Sequence, residues 1–322
     1  MTTPREKFIT ALEGGQPAGR VPHFELVFFL TMQAFGRIHP QHRSFRQWDQ
    51  MSDEERRLHI RDIADLHVTI ARKYEHSAIF AHGPRQWGSD PAGEMIRTLE
   101  QIRDISGDEY FLMVHGDATY SVPSGEKMMG FVEAIADNPQ QLKDEADRAV
   151  DAALETAGRY RSSGALDGFA LCSDYCFNNG PFLSPEMFAE FVSPYLARLT
   201  AGYREMGFYV IKHTDGNIMP ILDELVGTKP HALHSLDPQG GVDIAEVKRL
   251  VGDRVCLIGN VNCGLLDTGT DEQVVESARY ALKHGMPGGG YIFSTSNCIY
   301  TGMDPRRYEL MLDVWRAEGN YE

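Results

Sequence analysis

The chain has 322 residues, with 46 acidic side chains against 31 basic ones, a formal net charge of -15 and a hydrophobic content of 42%. A field of that sign repels polyanions, so no nucleic-acid partner is expected, and the apolar share is enough for a sizeable core rather than a disordered chain. Five cysteines do not make a disulfide framework, the N-terminus carries no apolar targeting stretch, and no run reaches the ~18 apolar residues of a membrane span; the expectation is a cytoplasmic protein with reduced thiols and no membrane contact.

The first element is a helix, opened by Thr3-Pro4 with Glu6 as capping-box partner. A strand over 21–28 comes next, then a connection over 29–52 that is long for a β-α link. The next helical stretch is charged and carries His59 and His67, read as solvated surface residues. Strands are expected over 76–82 and 110–115, a second long connection over 117–125, and a strand over 167–172. Ser184-Pro185 starts a helix, and the run 208–213 is the next strand. It closes on His213-Thr214-Asp215-Gly216, with a helix beginning near Ile218. Strands over 232–236, 254–260 and 290–294 alternate with helices capped by Asp243, Thr270 and Asp304. Eight strands alternating with helices predict an α/β fold, a (β/α)8 TIM barrel read as one domain over 1–322, with the two long connections covering its C-terminal face.

In such a barrel the active site lies at the carboxyl ends of the strands. Those ends supply Glu25, His82, His115 with Asp117, Asp174, His213 with Asp215, Asp237, Asn260 with Asn262, and the stretch Ser294 to Cys298. Carboxylates crowded in a low-dielectric mouth either bind a cation or hold on to their protons, so metal binding or acid-base catalysis is expected. His213 and Asp215, two apart, can converge on one ligand; the alternative is that Asp215 caps the next helix. Asp237-Pro238 also reads as a turn, and Asn260 as an amide that ties loops together. Cys172 and Cys176 lack a second pair and read as buried thiols. Gly288-Gly289-Gly290 is followed by neither Lys-Ser nor Lys-Thr, so it is no phosphate loop, and neither a dinucleotide fingerprint nor a nucleophile elbow is found.

Several runs carry a resemblance: Pro4-Arg5-Glu6 and Arg20-Val21-Pro22, Gly180-Pro181-Phe182-Leu183-Ser184-Pro185-Glu186 with Pro194-Tyr195, His213-Thr214-Asp215-Gly216-Asn217, Asp237-Pro238 to Asp243 with Lys248, Gly259-Asn260-Val261, and Pro287 to Tyr291. The chain resembles the uroporphyrinogen decarboxylase superfamily over nearly its whole length, which implies the same barrel. That superfamily holds both decarboxylases of a tetrapyrrole and zinc methyltransferases that work with corrinoid proteins, so membership alone does not choose the chemistry. The arginine-rich N-terminal motif of the decarboxylases is missing around 28–37, and the second strand ends on His82 without their aspartate. In the thiol methyltransferases two cysteines ligate zinc. Here Asp215 stands where the first would be and Gly289 where the second would be, while Cys298 lies several residues too far along to align.

Oxygen and nitrogen ligands leave Zn²⁺ more Lewis-acidic than thiolates do. The resemblance therefore implies transfer of a methyl group from a small O-methyl donor, such as an aryl methyl ether, or an N-methyl donor to the cobalt of a separate corrinoid protein. His213 and Asp215 would hold the metal with Glu25, Asp174 or Cys298 completing the set, and Asp174, His213 and Asp215 would carry the catalysis. Phe24, Phe28, His82, His115, Tyr120 and Asn260 would contact the donor. Two alternatives stay open: a metal-free lyase that decarboxylates a smaller acid with Asp174 or Asp215 moving the proton, and a non-catalytic subunit that binds a corrinoid carrier. The sequence leaves a homodimer open.

Overall fold

The computed structural model describes residues 2–321. Seven parallel strands form one curled sheet: Ala78–Phe80 (β1), Phe111–His115 (β2), Gly168–Leu171 (β3), and, after a small hairpin of Cys176–Phe177 (β4) and Gly180–Pro181 (β5), Tyr209–His213 (β6), Ala232–His234 (β7), Cys256–Ile258 (β8) and Tyr291–Ile292 (β9). Helices pack outside the sheet in alternation with the strands, as in a (β/α)8 barrel. The expected helix starts are all present. Thr3 and Thr270 form reciprocal capping boxes with Glu6 and Gln273, while Ser184, Asp243 and Asp304 each accept a backbone N–H of the first turn.

The expected first strand is the exception. Residues 21–28 run between β9 and β1 but bond only at isolated points: Phe293 N donates to Pro22 O at 2.9 Å, Phe24 N to Phe293 O at 3.2 Å, and Ser77 N to His23 O at 2.6 Å. Pro22 has no N–H to give, and proline is confined to the rim of a sheet for that reason. The segment fills the eighth place in the ring without a continuous ladder.

Alternation along each strand sets what faces inward. Phe80, Phe111, Met113, Ala170, Ile211, Ala232, Ile258 and Ile292 fill the barrel, and Phe8 of the helix Pro4–Leu12 joins them, its ring 5.7 Å from Phe24 and 4.8 Å from Phe111. Two residues past Ile211 and Ala232, on the same inward face, come His213 and His234. These are paired in the β6–β7 register, so strand geometry alone places two imidazoles side by side at the mouth.

The connection over 29–52 is tied down rather than loose. Arg37 pairs with Asp62 and Asp65, Arg43 also pairs with Asp62, and Trp48 Nε1 donates to Glu94 at 2.9 Å. His67 corrects the expectation of a solvated residue: it is buried, its Nε2 3.2 Å from the His82 backbone N–H. It lies on the stripe Ile60, Ile63, Ala64, His67, Ala71 that the helix Asp53–Lys73 turns inward. His59 is half-buried against Phe45.

Candidate functional site

Asp174, His213 and Asp215 come together at the mouth, with one potential ligand atom from each lying within 4.8 Å of the others. His213 Nε2 is 3.7 Å from Asp215 Oδ1 and 3.9 Å from Asp174 Oδ1. Both distances exceed a hydrogen bond. The backbone N–H of Asp215 donates to Asp174 Oδ1 at 3.0 Å, and Asn297 Nδ2 donates to Asp215 Oδ2. Asp215 Oδ1 is buried and, among the described residues, has no hydrogen-bond partner. Burial, reinforced by the charge of Asp174 and opposed by the Ser235 hydroxyl and the Asn297 amide, pushes the Asp215 carboxyl up to about 7. An orphaned carboxylate oxygen facing a bare imidazole nitrogen fits a cation between them.

Asp215 is free for this because it does not cap the next helix. Asn217 Oδ1 takes the Met219 N–H, and the turn Met219–Ile221 leads into the helix Leu222–Gly227. Gly216 holds the corner at φ 78°, where a Cβ would stand 2.6 Å from Phe177 O and 2.8 Å from Cys176 O. The β4–β5 hairpin is therefore packed against the backbone that carries the two ligand candidates.

Two expected ligands stand outside the group. Glu25 is buried behind it, accepting from Thr295 Oγ1, from Thr295 N at 3.3 Å and from Ser294 Oγ at 3.4 Å, with His23 Nε2 3.3 Å from its other oxygen. Burial pushes Glu25 up to about 8. Cys298 is buried, which raises its thiol well above the usual range. Cys172 and Cys176 are free thiols; Cys176 is buried as expected, whereas Cys172 is only partly buried.

The expected donor contacts are mostly drawn into packing. Phe28 faces the helices, 4.6 Å from Tyr74 and 5.4 Å from Tyr308, and Phe24 is fully buried in the barrel. Tyr120 donates to Leu142 O at 2.8 Å and packs on Phe131. Asn260 donates to Leu236 O at 2.9 Å, tying the ends of β8 and β7 as its alternative reading has it. His82 is buried among His39, His67 and Phe80. Asp237 caps the turn Pro238–Gly240 and also accepts from Gly216 N at 3.2 Å. His115, exposed at the end of β2, remains accessible.

Asp117 serves structure. Lys212 Nζ reaches it at 2.8 Å, reaches Ser173 O at 2.9 Å and Leu171 O at 3.2 Å, and lies 4.1 Å from the Tyr175 ring centre. Burial opposes the charge on Asp117, but Lys212 and Thr119 outweigh it and hold the carboxyl at about 2. Sequence reasoning missed His234 and Lys212. Each shares a readable strand with a recognised feature, and alternation from Ala232 would have pointed His234 inward.

The uroporphyrinogen decarboxylase (URO-D) family matches residues 118–317. The chain belongs to that family. Uroporphyrinogen decarboxylase of Thioalkalivibrio sulfidiphilus is 31% identical over 150 residues, 44% of this chain and 40% of that one. The enzyme of the same name from Pseudoalteromonas translucida is 25% identical over 248 residues, 72% of this chain and 66% of its own. The match thus spans only part of each of these URO-D relatives. A methyltransferase from Methanosarcina mazei superposes with a TM-score of 0.72 at 15% identity, over 98% of this chain and 99% of that one, which shows a shared fold. No described helix is long and apolar enough to cross a membrane.

Proposed function

We propose that this URO-D family chain, read as one domain over 1–322, is a methyltransferase that moves a methyl group from a small O-methyl or N-methyl donor to the cobalt of a separate corrinoid protein. The observation that carries the reading is the group of Asp174, His213 and Asp215, with its unsatisfied Asp215 oxygen turned toward His213 Nε2. These three residues would hold a zinc ion, which supplies Lewis-acid polarisation of the donor's leaving atom. The chain's own work is to keep His213 Nε2 free of hydrogen bonds, to keep one Asp215 oxygen open while Asn297 fixes the other, and to hold Asp174 through the Asp215 amide. Lys212 is spent on Asp117, which leaves the cluster's negative charge for the metal.

The test is elemental analysis of untagged protein purified without chelator. About one zinc per chain, absent from Asp215→Ala, supports the site; transfer from methoxylated or N-methyl donors to a Co(I) corrinoid protein then identifies the donor. Wild-type protein that takes up no zinc when it is supplied refutes the Lewis-acid reading.

One observation favours a second reading. A carboxyl raised to about 7 carries a proton near neutrality, and Asp215 could deliver it to the carbon left when a carboxylate departs as carbon dioxide. Release of carbon dioxide from a small carboxylic acid by metal-free protein would select that lyase.

A further inference from the structure

The hydrogen bonds behind His213 run in one direction. His234 Nε2 lies 3.2 Å from the carbonyl oxygen of Thr295. A carbonyl only accepts, so Nε2 of His234 carries the hydrogen. His234 is fully buried and, among the described residues, is hydrogen-bonded to no carboxylate: its other polar partners are Ser294 Oγ at 3.5 Å and His213. A neutral imidazole protonated at Nε2 has its lone pair on Nδ1. That nitrogen is 2.7 Å from His213 Nδ1, so His213 Nδ1 is the donor. His213 Nε2, at the opposite side of the ring, is the nitrogen turned toward Asp174 and Asp215.

We infer that His234 is a positioning residue that fixes His213 as the Nδ1–H tautomer and aims its Nε2 lone pair at the cation position between Asp174 and Asp215. The inference rests on the reading of His213 as a metal ligand. A histidine ligand whose second nitrogen is free to turn or to take the wrong tautomer presents N–H instead of a lone pair, and the partner that prevents this sets metal affinity. The support continues outward. Thr295, whose carbonyl orients His234, is itself held at its amide and hydroxyl by Glu25, and Asn297, two residues on, fixes Asp215. The stretch 294–297 after β9 thus orients two members of the cluster from one side. Glu25 acts through that stretch rather than at the cation, which accounts for an acid buried beside His23, an imidazole that burial keeps neutral.

The experiment begins with the metal-free protein. Nitrogen-15 spectra of the histidine rings, with His213 assigned by its loss in His213→Gln, are expected to show His213 protonated at Nδ1 and bare at Nε2. An Nε2–H tautomer in wild type overturns the inference whatever the metal does. In His234→Ala the His213 signals are expected to move toward a tautomer mixture, with zinc affinity, measured by competition with a chelator, falling by about 10- to 100-fold. His234→Asn, which puts a carbonyl oxygen near the place of Nδ1, is expected to recover most of the tautomer and of the affinity. An unchanged tautomer in a folded His234→Ala chain refutes the role. Should wild type take up no zinc while the tautomer shifts as expected, the methyltransferase reading fails and the positioning role of His234 stands.

Discussion

Two carboxylates at the same mouth behave in opposite ways. Asp117 has Lys212 Nζ at 2.8 Å, the Thr119 amide at 2.9 Å and the Ser173 amide at 2.9 Å, and it is held at about 2. Asp215 has Asn297 on one oxygen and, among the described residues, no hydrogen bond on the other, and burial with Asp174 beside it takes it to about 7 against the lowering pull of the Ser235 hydroxyl and Asn297. The Asp117 side chain is buried and that of Asp215 is partly so, at 27% exposure; only the first is neutralised by the protein. The first is a clamp between strands. The second is a charge that the fold leaves unbalanced, and an unbalanced charge of that kind is where a proton or a metal ion is bound most strongly.

The contrast can be broken most severely at the balanced side. Lys212→Met strands Asp117 without its cation and should cost about 3–5 kcal/mol of folding stability, read from a urea midpoint; a shift of less than ~1 kcal/mol would mean that the clamp is not structural. Asp215→Asn is expected to abolish zinc uptake while sparing the fold. Because the folded Asp215 has a raised pKa, the stability it confers is complete below about 4, its ordinary range, and is lost as pH rises through about 7. Metal-free Asp215→Asn should therefore melt no lower than wild type at pH 8, and a clear drop in Tm would count against an unbalanced site. The smallest effect is expected at Glu25, raised to about 8. Its contribution likewise falls as pH climbs toward 8, and Glu25→Gln keeps the shape of the protonated acid. Between pH 6.5 and 8.5 the wild-type Tm should decline more steeply than that of the variant, and parallel curves would show that Glu25 is ionised throughout.

Much of the barrel was legible because strand and helix signals are local. The apolar runs before His115, His213 and Asn260, and caps such as Thr270 with Gln273, announce themselves within a few residues. The convergence of His213 with Asp215 was legible for the same reason. The rest depends on pairings across the chain. Glu25 looks like a ligand from its place in the run 21–28, yet its partners are Ser294 and Thr295, some 270 residues on. His234 meets His213 only through the β6–β7 register. Phe28 and Tyr120 read as pocket aromatics until Tyr308 and Leu142 are seen to claim them. His67 was within reach of the sequence, since it keeps the spacing of Ile60, Ile63 and Ala64, but the charged residues around it hid the stripe.

The sparse bonding of residues 21–28 has a mechanical side. A ring whose eighth stave is pegged at only a few points needs a hoop, and the last helix supplies one. Val21 N donates to Gly319 O at 2.8 Å, Trp315 Nε1 donates to Val21 O at 3.0 Å, and Arg20 pairs with Asn320 in an antiparallel bridge. The helix Pro305–Glu318 thus straps the seam from outside, a few residues from Glu25. Loosening that strap would spread the stave carrying Glu25 before disturbing the strands that carry His213 and His234, so the amides of 21–28 should be the first in the barrel wall to exchange with solvent.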